Sequence, residues 1–451
     1  MNKQAKLNEL AKQTDVSHRS PRVLTQSEHL PVDWDMKNLD DISEIKTGHT
    51  PSRDVSEYWN GEIPWIAIHD LTQVGGIEIN TTDEAITKEG LKNSGAKLLP
   101  EGTVALCRTG SIGASAILDR EMATDQSTVT FECSPGKVNP YFLLYIFQQC
   151  QSELDRLGIG STHPSIQLDF FPGLQIPVPP IEEQRKIASV LYTLDQLAQK
   201  TKEIAEQSDK VLRGLMNDVF EQGANEHETY QETPVGKFPS SWNMVQIEDL
   251  LLEDMSYGIL KPGDYDEDGV RMIRATDIAH GKLVESHPFR VSQSKADEYK
   301  RTTLAESDVI LSVMGTVGRS MCVPASLEGA NLNRALARLR FDSDLILPEF
   351  VELWFRSPHT QSYFETQKFG TAQSRLNLGF LNKMKVPVPP MNEQRRIVEI
   401  LSNADDQYWL ERESESRLKC LKRGIMQTLL SGEVRTHNKK IEVMDKVLQY
   451  D

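Results

Sequence analysis

A chain of 451 residues, 38% hydrophobic, has room for two domains with separate cores. It has no run of eighteen apolar residues and no apolar segment in its start, MNKQAKLNELAKQ, so neither a transmembrane helix nor a secretory signal is expected. A formal net charge of −16 gives no general attraction to phosphate, so a nucleic-acid partner would need a local basic face.

In chain order, residues 1–29 are polar with one weak helical stretch. A first globular module is expected over 30–176. IPWIAI, GTVALC and STVTFE read as strands, and PYFLLYIFQQCQSELDRL reads as a helix. The module opens on a polar loop with Lys46, His49 and Arg53, and His69 with Asp70 sits at a strand end. Arg108-Thr109-Gly-Ser111-Ile-Gly113 follows an apolar strand. Such a glycine-rich exit is either a tight turn or a place where backbone approaches a phosphate or base edge. Ser161-Thr162-His163 forms a short polar loop led by glycine, either a solvated turn or a DNA contact. Trp34, Trp65 and Trp242 read as core anchors. Pro177-Val-Pro-Pro180 then sets an extended entry to a helix over 177–220, with Glu182 and Glu183 favouring its N-terminal dipole. Ile187, Leu194, Thr201, Ser208 and Leu215, with Val190, Leu197, Ile204 and Val211, form a heptad seam. A polar linker is expected over 221–233.

The second module, 234–385, repeats this order with VRMIRA, DVILSV and LARLRF, then PEFVELWFRSPHTQSYFE. Its matching polar positions are Lys261, then Arg274 and Thr276, then Thr316 and Arg319 around Gly315 and Gly318, and finally Gln373-Ser374-Arg375. Gln can pair with adenine and Arg with guanine in the major groove, so this loop with Arg375 is either a base contact or a solvated turn. A second helix follows over 386–431, and a tail or docking helix over 432–451. From 34 to 175 there are 10 basic and 20 acidic side chains, net −10; from 242 to 385 there are 17 and 20, net −3.

The repeat is explicit in IPVPPIEEQRKIASVL and VPVPPMNEQRRIVEIL, identical at nine of sixteen positions, 210 residues apart. That spacing is too long for a solenoid unit and means two copies of one module followed by a long helix. The triplets Glu183-Gln184-Arg185 and Glu393-Gln394-Arg395 occur in both copies. They are therefore poor candidates for reading different bases. They would fix the helix start, bind a partner, or form a solvated face. Five widely spaced cysteines argue against a disulfide framework and a CxxC metal site, and fit a reducing cytoplasm. No phosphate loop, HExxH, GxSxG or methyltransferase Asn/Asp-Pro-Pro-aromatic motif occurs, so neither cofactor nor metal is expected in this chain.

Two modules each closed by PxPP-x-x-EQRxI, with long helices ending in Arg213-Gly214 and Arg423-Gly424, resemble the specificity subunit of type I restriction-modification systems. The resemblance implies an α+β chain of two pseudo-repeated target recognition domains separated by two long antiparallel coiled-coil helices. It implies that each domain reads half of a split double-stranded DNA site and that two methyltransferase subunits dock on the helices. Motor-nuclease subunits join for cleavage, and no membrane is involved. The partners would use S-adenosylmethionine, Mg²⁺ and ATP, in the cytoplasm. Gly160 to Leu168 and Gly370 to Leu378 resemble a family loop, with His163 in place of its glutamine. Asp125-Gln126 and Asn333-Arg334 each resemble an Asn-Gln pair with one residue changed. The competing readings are a helical adaptor that binds no DNA and a stand-alone nuclease.

Overall fold

A computed structural model describes residues 22–24, 30–160, 162–234, 236–367 and 375–450. The chain divides into two units: Met1–Glu203 with Glu413–Asp451, and Ile204–Arg412.

The core sheet of the first unit contains β1 (Ser43–Thr47), β2 (Val104–Cys107), β3 (Ser115–Leu118) and β4 (Thr128–Cys133). Their order is β1-β4-β2-β3, with Glu78–Ile79 added parallel to β3. The other pairings are antiparallel. Strand β2 is buried throughout, as a continuous apolar run requires. Helices α1 (Pro140–Gln149) and α2 (Gln151–Leu157) follow the sheet. The expected single helix thus breaks at Cys150. The eight residues from Pro140 to Phe147 are all buried, and Tyr141 to Phe147 join Val104, Leu106, Val129 and Phe131 in one core. The strand Leu174–Val178 pairs with Asp35–Asn38 and leads into α3 (Ile181–Gln222).

In the second unit, β5 (Leu251–Tyr257), β6 (Val309–Ser312), β7 (Ser320–Cys322) and β8 (Leu336–Phe341) take the matching order β5-β8-β6-β7. Helices α4 (Pro348–Arg356) and α5 (Pro358–Thr366) are separated by Ser357, because proline at 358 cannot donate to the preceding turn. Lys385–Val388 pairs with Asn243–Gln246 and leads into α6 (Met391–Leu430).

Both units contain antiparallel helix packing. In the first, Ile187, Ala188 and Leu191 at the start of α3 share a core with Met426, Leu429 and Leu430 at the end of α6. In the second, Leu212, Met216 and Val219 share a core with Ile397 and Leu401. The seam differs from the expected one. Leu197, Ile204 and Val211 are about half exposed, and Leu191, Ala205 and Leu212, one position later in each heptad, are buried. Small Ala205 permits close backbone approach, so the row of largest aliphatic residues is not the row that packs.

The end of the chain is part of the first unit. Val447 is fully buried, its carbonyl accepts from Asn139 Nδ2 at 2.8 Å, and Lys446 pairs with Asp119 at 2.6 Å. In the second unit, the expected linker enters a strand, Tyr230–Thr233, paired with Gly236–Pro239. No helix among the described residues is long and apolar enough to cross a membrane.

Candidate nucleic-acid interface

Five segments meet at one end of each core sheet. In the first unit they are 47–53, 66–70, 108–113, 125–127 and 162–166. His49 N–H donates to the Thr124 carbonyl, Asp125 N–H to Ile66, Arg108 N–H to Ser127, Ile166 N–H to Arg108 and Gly110 N–H to Pro164, at 2.8 to 3.0 Å. The second unit repeats the cluster with 257–261, 273–277, 313–319, 333–335 and the segment beginning at Arg375. Ile259 N–H donates to Leu332, Asn333 N–H to Ile273, Val313 N–H to Ala335 and Leu376 N–H to Val313, at 2.7 to 2.9 Å. Gly113 and Gly318 have φ of 88° and 94°, and a Cβ at either would strike the Gln151 or Gln361 side chain. Those glutamines hold the turns by donating to the Ile112 and Gly318 carbonyls at 2.6 and 2.9 Å.

Most of the sequence-predicted cations are committed within their own module. Lys46 pairs with Glu132 at 2.5 Å and Glu44 at 3.1 Å. Burial alone would lower its pKa, but the two carboxylates outweigh burial and raise it. Arg53 grips Glu84 through both amines, one at 2.8 Å, and lies 3.8 Å over the Trp59 ring. Arg108 donates from Nε to the Gln126 carbonyl and from Nη1 to that of Ile166, both at 3.0 Å. Arg274 pairs with buried Asp277 at 3.0 Å, and Arg319 donates to the Ile278 carbonyl at 3.1 Å. Each of these five cations is engaged by acceptors of its own module, Arg274 by a carboxylate three residues away and the other four by groups more distant in the chain. His69 lies 3.0 Å from Asp83 and 3.4 Å from Asp70. Thr109 and Ser165 share a hydroxyl hydrogen bond of 2.9 Å, and Thr276 donates to Asp277 at 3.2 Å. His49, Ser111, Thr162, His163, Lys261, Thr316 and Arg375 are exposed. Ser161, Gln373 and Ser374 lie outside the described residues.

The centre of each cluster is a turn to which sequence alone assigned no role. Asp125 Oδ1 accepts from Ser127 N–H and Thr128 Oγ1, both at 3.0 Å, and Asn333 Oδ1 accepts from Ala335 N–H at 3.1 Å. Burial pushes the Asp125 carboxyl up, and the Thr128 and Ser127 donors pull against it without cancelling it. Each turn then presents its next side chain outward: Gln126 in one module, Arg334 in the other, both exposed. The doubled alignment of the two pairs was the available signal. Arg334, Lys261 and Arg375 have no side-chain partner among the described residues. The five segments of the first module hold no such cation.

The repeated triplets act at the helix starts. Glu183 and Gln184 are 1% and 0% exposed, and Glu393 and Gln394 are each 1% exposed. Glu183 accepts from Trp34 Nε1 at 3.2 Å, Arg435 Nη2 at 2.7 Å and Thr436 N–H at 3.0 Å. Glu393 accepts from Trp242 Nε1 at 3.0 Å and the Ala224 and Asn225 N–H groups at 3.0 and 3.2 Å, with His227 Nε2 at 2.8 Å. Burial would raise the Glu183 carboxyl, but Arg435, the Thr436 amide and the Trp34 indole together leave it below its ordinary value. Gln184 and Gln394 receive Asn139 N–H and Leu347 N–H at 2.9 and 2.8 Å. Burial and these hydrogen bonds fit the reading in which the four side chains fix the helix starts. Arg185 is paired with Glu182 at 2.5 Å, and Arg395 is exposed.

The model of the type I restriction modification DNA specificity domain matches residues 31–207 and 239–419. The MjaVIII type I restriction enzyme specificity subunit of Methanocaldococcus jannaschii is 23% identical over 415 residues, covering 91% of this chain and 95% of the relative. The MjaIX subunit of the same organism is 30% identical over 292 residues, 63% and 67% of the two chains. The Escherichia coli EcoBI specificity subunit is 24% identical over 420 residues, 89% and 86%. The crystal structure of the M. genitalium type I restriction-modification S subunit aligns over 90% of this chain and 97% of its own, with a TM-score of 0.56 at 15% identity, a likeness of fold.

Proposed function

The chain belongs to the type I restriction modification DNA specificity family, whose domain it carries twice, and we propose on that premise how its modules divide the work. It is the DNA specificity subunit of a type I restriction-modification system, a non-catalytic component. In our reading, each module lays its five-segment face against one half of a bipartite duplex site. The supporting observation is that this face occurs twice with four matching backbone hydrogen bonds and different outward side chains. A shared backbone with variable side chains suits two modules reading two different sequences in the major groove.

Two modification subunits would dock along the helices and transfer a methyl group from S-adenosylmethionine to adenine. Motor-nuclease subunits would supply cleavage with Mg²⁺ and ATP, in the cytoplasm. Among the described residues, three cations without a side-chain partner lie on one face and none on the other, so the isolated chain should bind DNA weakly, and the assembled complex should supply most of the affinity. The test is to express the chain with its modification subunit and map methylated adenines. Methylation should require both proteins and follow a bipartite motif. Replacing 30–175 by another member's first module should change one half of the motif only. Methyl transfer by the purified chain alone, or a change in both halves, would overturn the reading.

A further inference from the structure

We propose that Arg334 is the specificity-determining side chain of the second module and that it contacts the N7 and O6 edge of a guanine. This rests on the DNA-reading role assigned above and names the base that one residue addresses. The turn 333–335 is the hub of its cluster, bonded to three of the other four segments. Asn333 N–H donates to Ile273 at 2.9 Å, Arg334 N–H to Ile259 at 2.9 Å, and Ala335 accepts from Val313 at 2.8 Å. The Asn333 side chain closes the turn by accepting from Ala335 N–H at 3.1 Å. The backbone around Arg334 is therefore fixed on several sides, as a base reader requires. Its guanidinium is exposed, whereas Arg274 and Arg319 in neighbouring segments are held by Asp277 and by backbone carbonyls.

The first module shows what the position does when its chemistry changes. Gln126 occupies the same place on the same turn. Its carbonyl accepts from Arg108 Nε at 3.0 Å and its Oε1 from Thr50 Oγ1 at 2.7 Å. An arginine fork matches guanine O6 and N7, and a glutamine amide matches adenine N6 and N7. The scaffold is the same, so the two half-sites differ at the base facing the hub. Lys261 and Arg375, exposed on other segments of the same cluster, would suit the flanking phosphates in this arrangement, with the hub toward the groove.

The experiment uses the chain assembled with its modification subunit, as Arg334→Gln and Arg334→Lys, with methylation mapping and binding to the cognate duplex. In the wild type, exchanging the guanine of the second half-site for 7-deazaguanine removes the N7 acceptor. That should weaken binding by about 10- to 150-fold, the worth of one hydrogen bond from a charged donor. Both variants should lose this discrimination, because lysine keeps the charge and lacks the fork. The first half-site should remain as in the wild type. Full recovery by Arg334→Lys would make the residue a phosphate contact and overturn the proposal. An unchanged motif in Arg334→Gln would overturn it too. If Arg334→Gln gives no methylation, binding to duplexes randomised over the second half-site supplies the readout, and a retained guanine requirement counts against the proposal. A wild-type complex that methylates no bipartite motif would instead sink the functional reading on which this one stands.

Discussion

In the first module the Trp34 indole donates to Glu183, and the charge on that carboxylate is met by Arg435. In the second, Trp242 donates to Glu393, and His227 with two backbone amides takes the place of the arginine. The interior of the pin is repeated and its outer partner is not. The same holds at the sheet end, where Asp125 and Asn333 close the same turn and Gln126 and Arg334 project from it. Duplication thus preserved the groups that satisfy buried donors, because each buried polar atom without a partner costs about 1–3 kcal/mol. Groups facing solvent had no such constraint, so the two faces could diverge toward different partners.

The largest effect should come from breaking the pins. Glu183→Ala and Glu393→Ala each leave several buried donors unsatisfied, at about 1–3 kcal/mol for each donor left without a partner. Glutamine should separate the modules. It is expected to be tolerated better at 393, where the side-chain partner is an imidazole that can be neutral, than at 183, where Arg435 remains charged. Hydrogen exchange of the two modules, read by mass spectrometry, measures this. Equal losses for Glu183→Gln and Glu393→Gln would mean that the difference in partner has no energetic consequence. The Glu183 contribution should also be acid-sensitive. With its folded pKa depressed, the pin is complete above the ordinary carboxylate range and is lost as pH falls through the folded value.

The duplicated architecture was legible in sequence because strand alternation and the proline-led helix starts recur in the same order. The internal partners of Lys46, Arg53 and Arg319 were not, since a cation near a loop reads the same whether it faces solvent or an acceptor of its own module. Lys46 and Glu132 are 86 residues apart, and Arg53 and Glu84 are 31 apart. Only the folded sheet brings them together. One row of the seam, Leu197, Ile204 and Val211, was misplaced by one residue because counting large aliphatic side chains overlooks that Ala205 packs while Ile204 does not; the row opened by Ile187 is buried or half-buried as expected. The hub turns were visible as a repeated pair, but their central position depends on backbone hydrogen bonds between segments far apart in the chain.

An intermediate effect should separate the modules at a second place. In the second unit the turn at His280-Gly281 is fastened to α6. Trp409 Nε1 donates to the His280 carbonyl at 3.2 Å, and Lys282 pairs with Asp406 at 3.1 Å. The matching turn of the first unit, Gly75-Gly76, borders a cavity of about 510 Å³ lined also by Gln199, Lys419 and Arg423. Trp409→Ala should therefore speed amide exchange over 278–283, by about 1–2 kcal/mol of local opening, and leave 74–77 as it was. In the wild type, 74–77 should already exchange faster than 279–282. Equal protection of the two turns would remove this contrast.

The smallest effect concerns the hub turns, where each module tests the residue of the other. Asp125 is buried, and its carboxyl is held above the ordinary range by that burial. A raised folded pKa means that ionisation is disfavoured in the fold, so stability declines as pH rises from the ordinary carboxylate value through the folded one. Asp125→Asn supplies the same acceptor for Ser127 N–H and Thr128 Oγ1 without the charge, as Asn333 does for Ala335. It should stabilise the first module at neutral pH by no more than about 1 kcal/mol, the net worth of one hydrogen bond. The gain should shrink to nothing below the ordinary carboxylate range, where the wild-type side chain is protonated. Asn333→Asp should do the reverse in the second module. Thermal melts of both variants at about pH 3 and pH 7.5, on either side of the ordinary carboxylate range, measure the sign. A gain for Asp125→Asn that persisted in acid would show that charge is not what distinguishes the two turns.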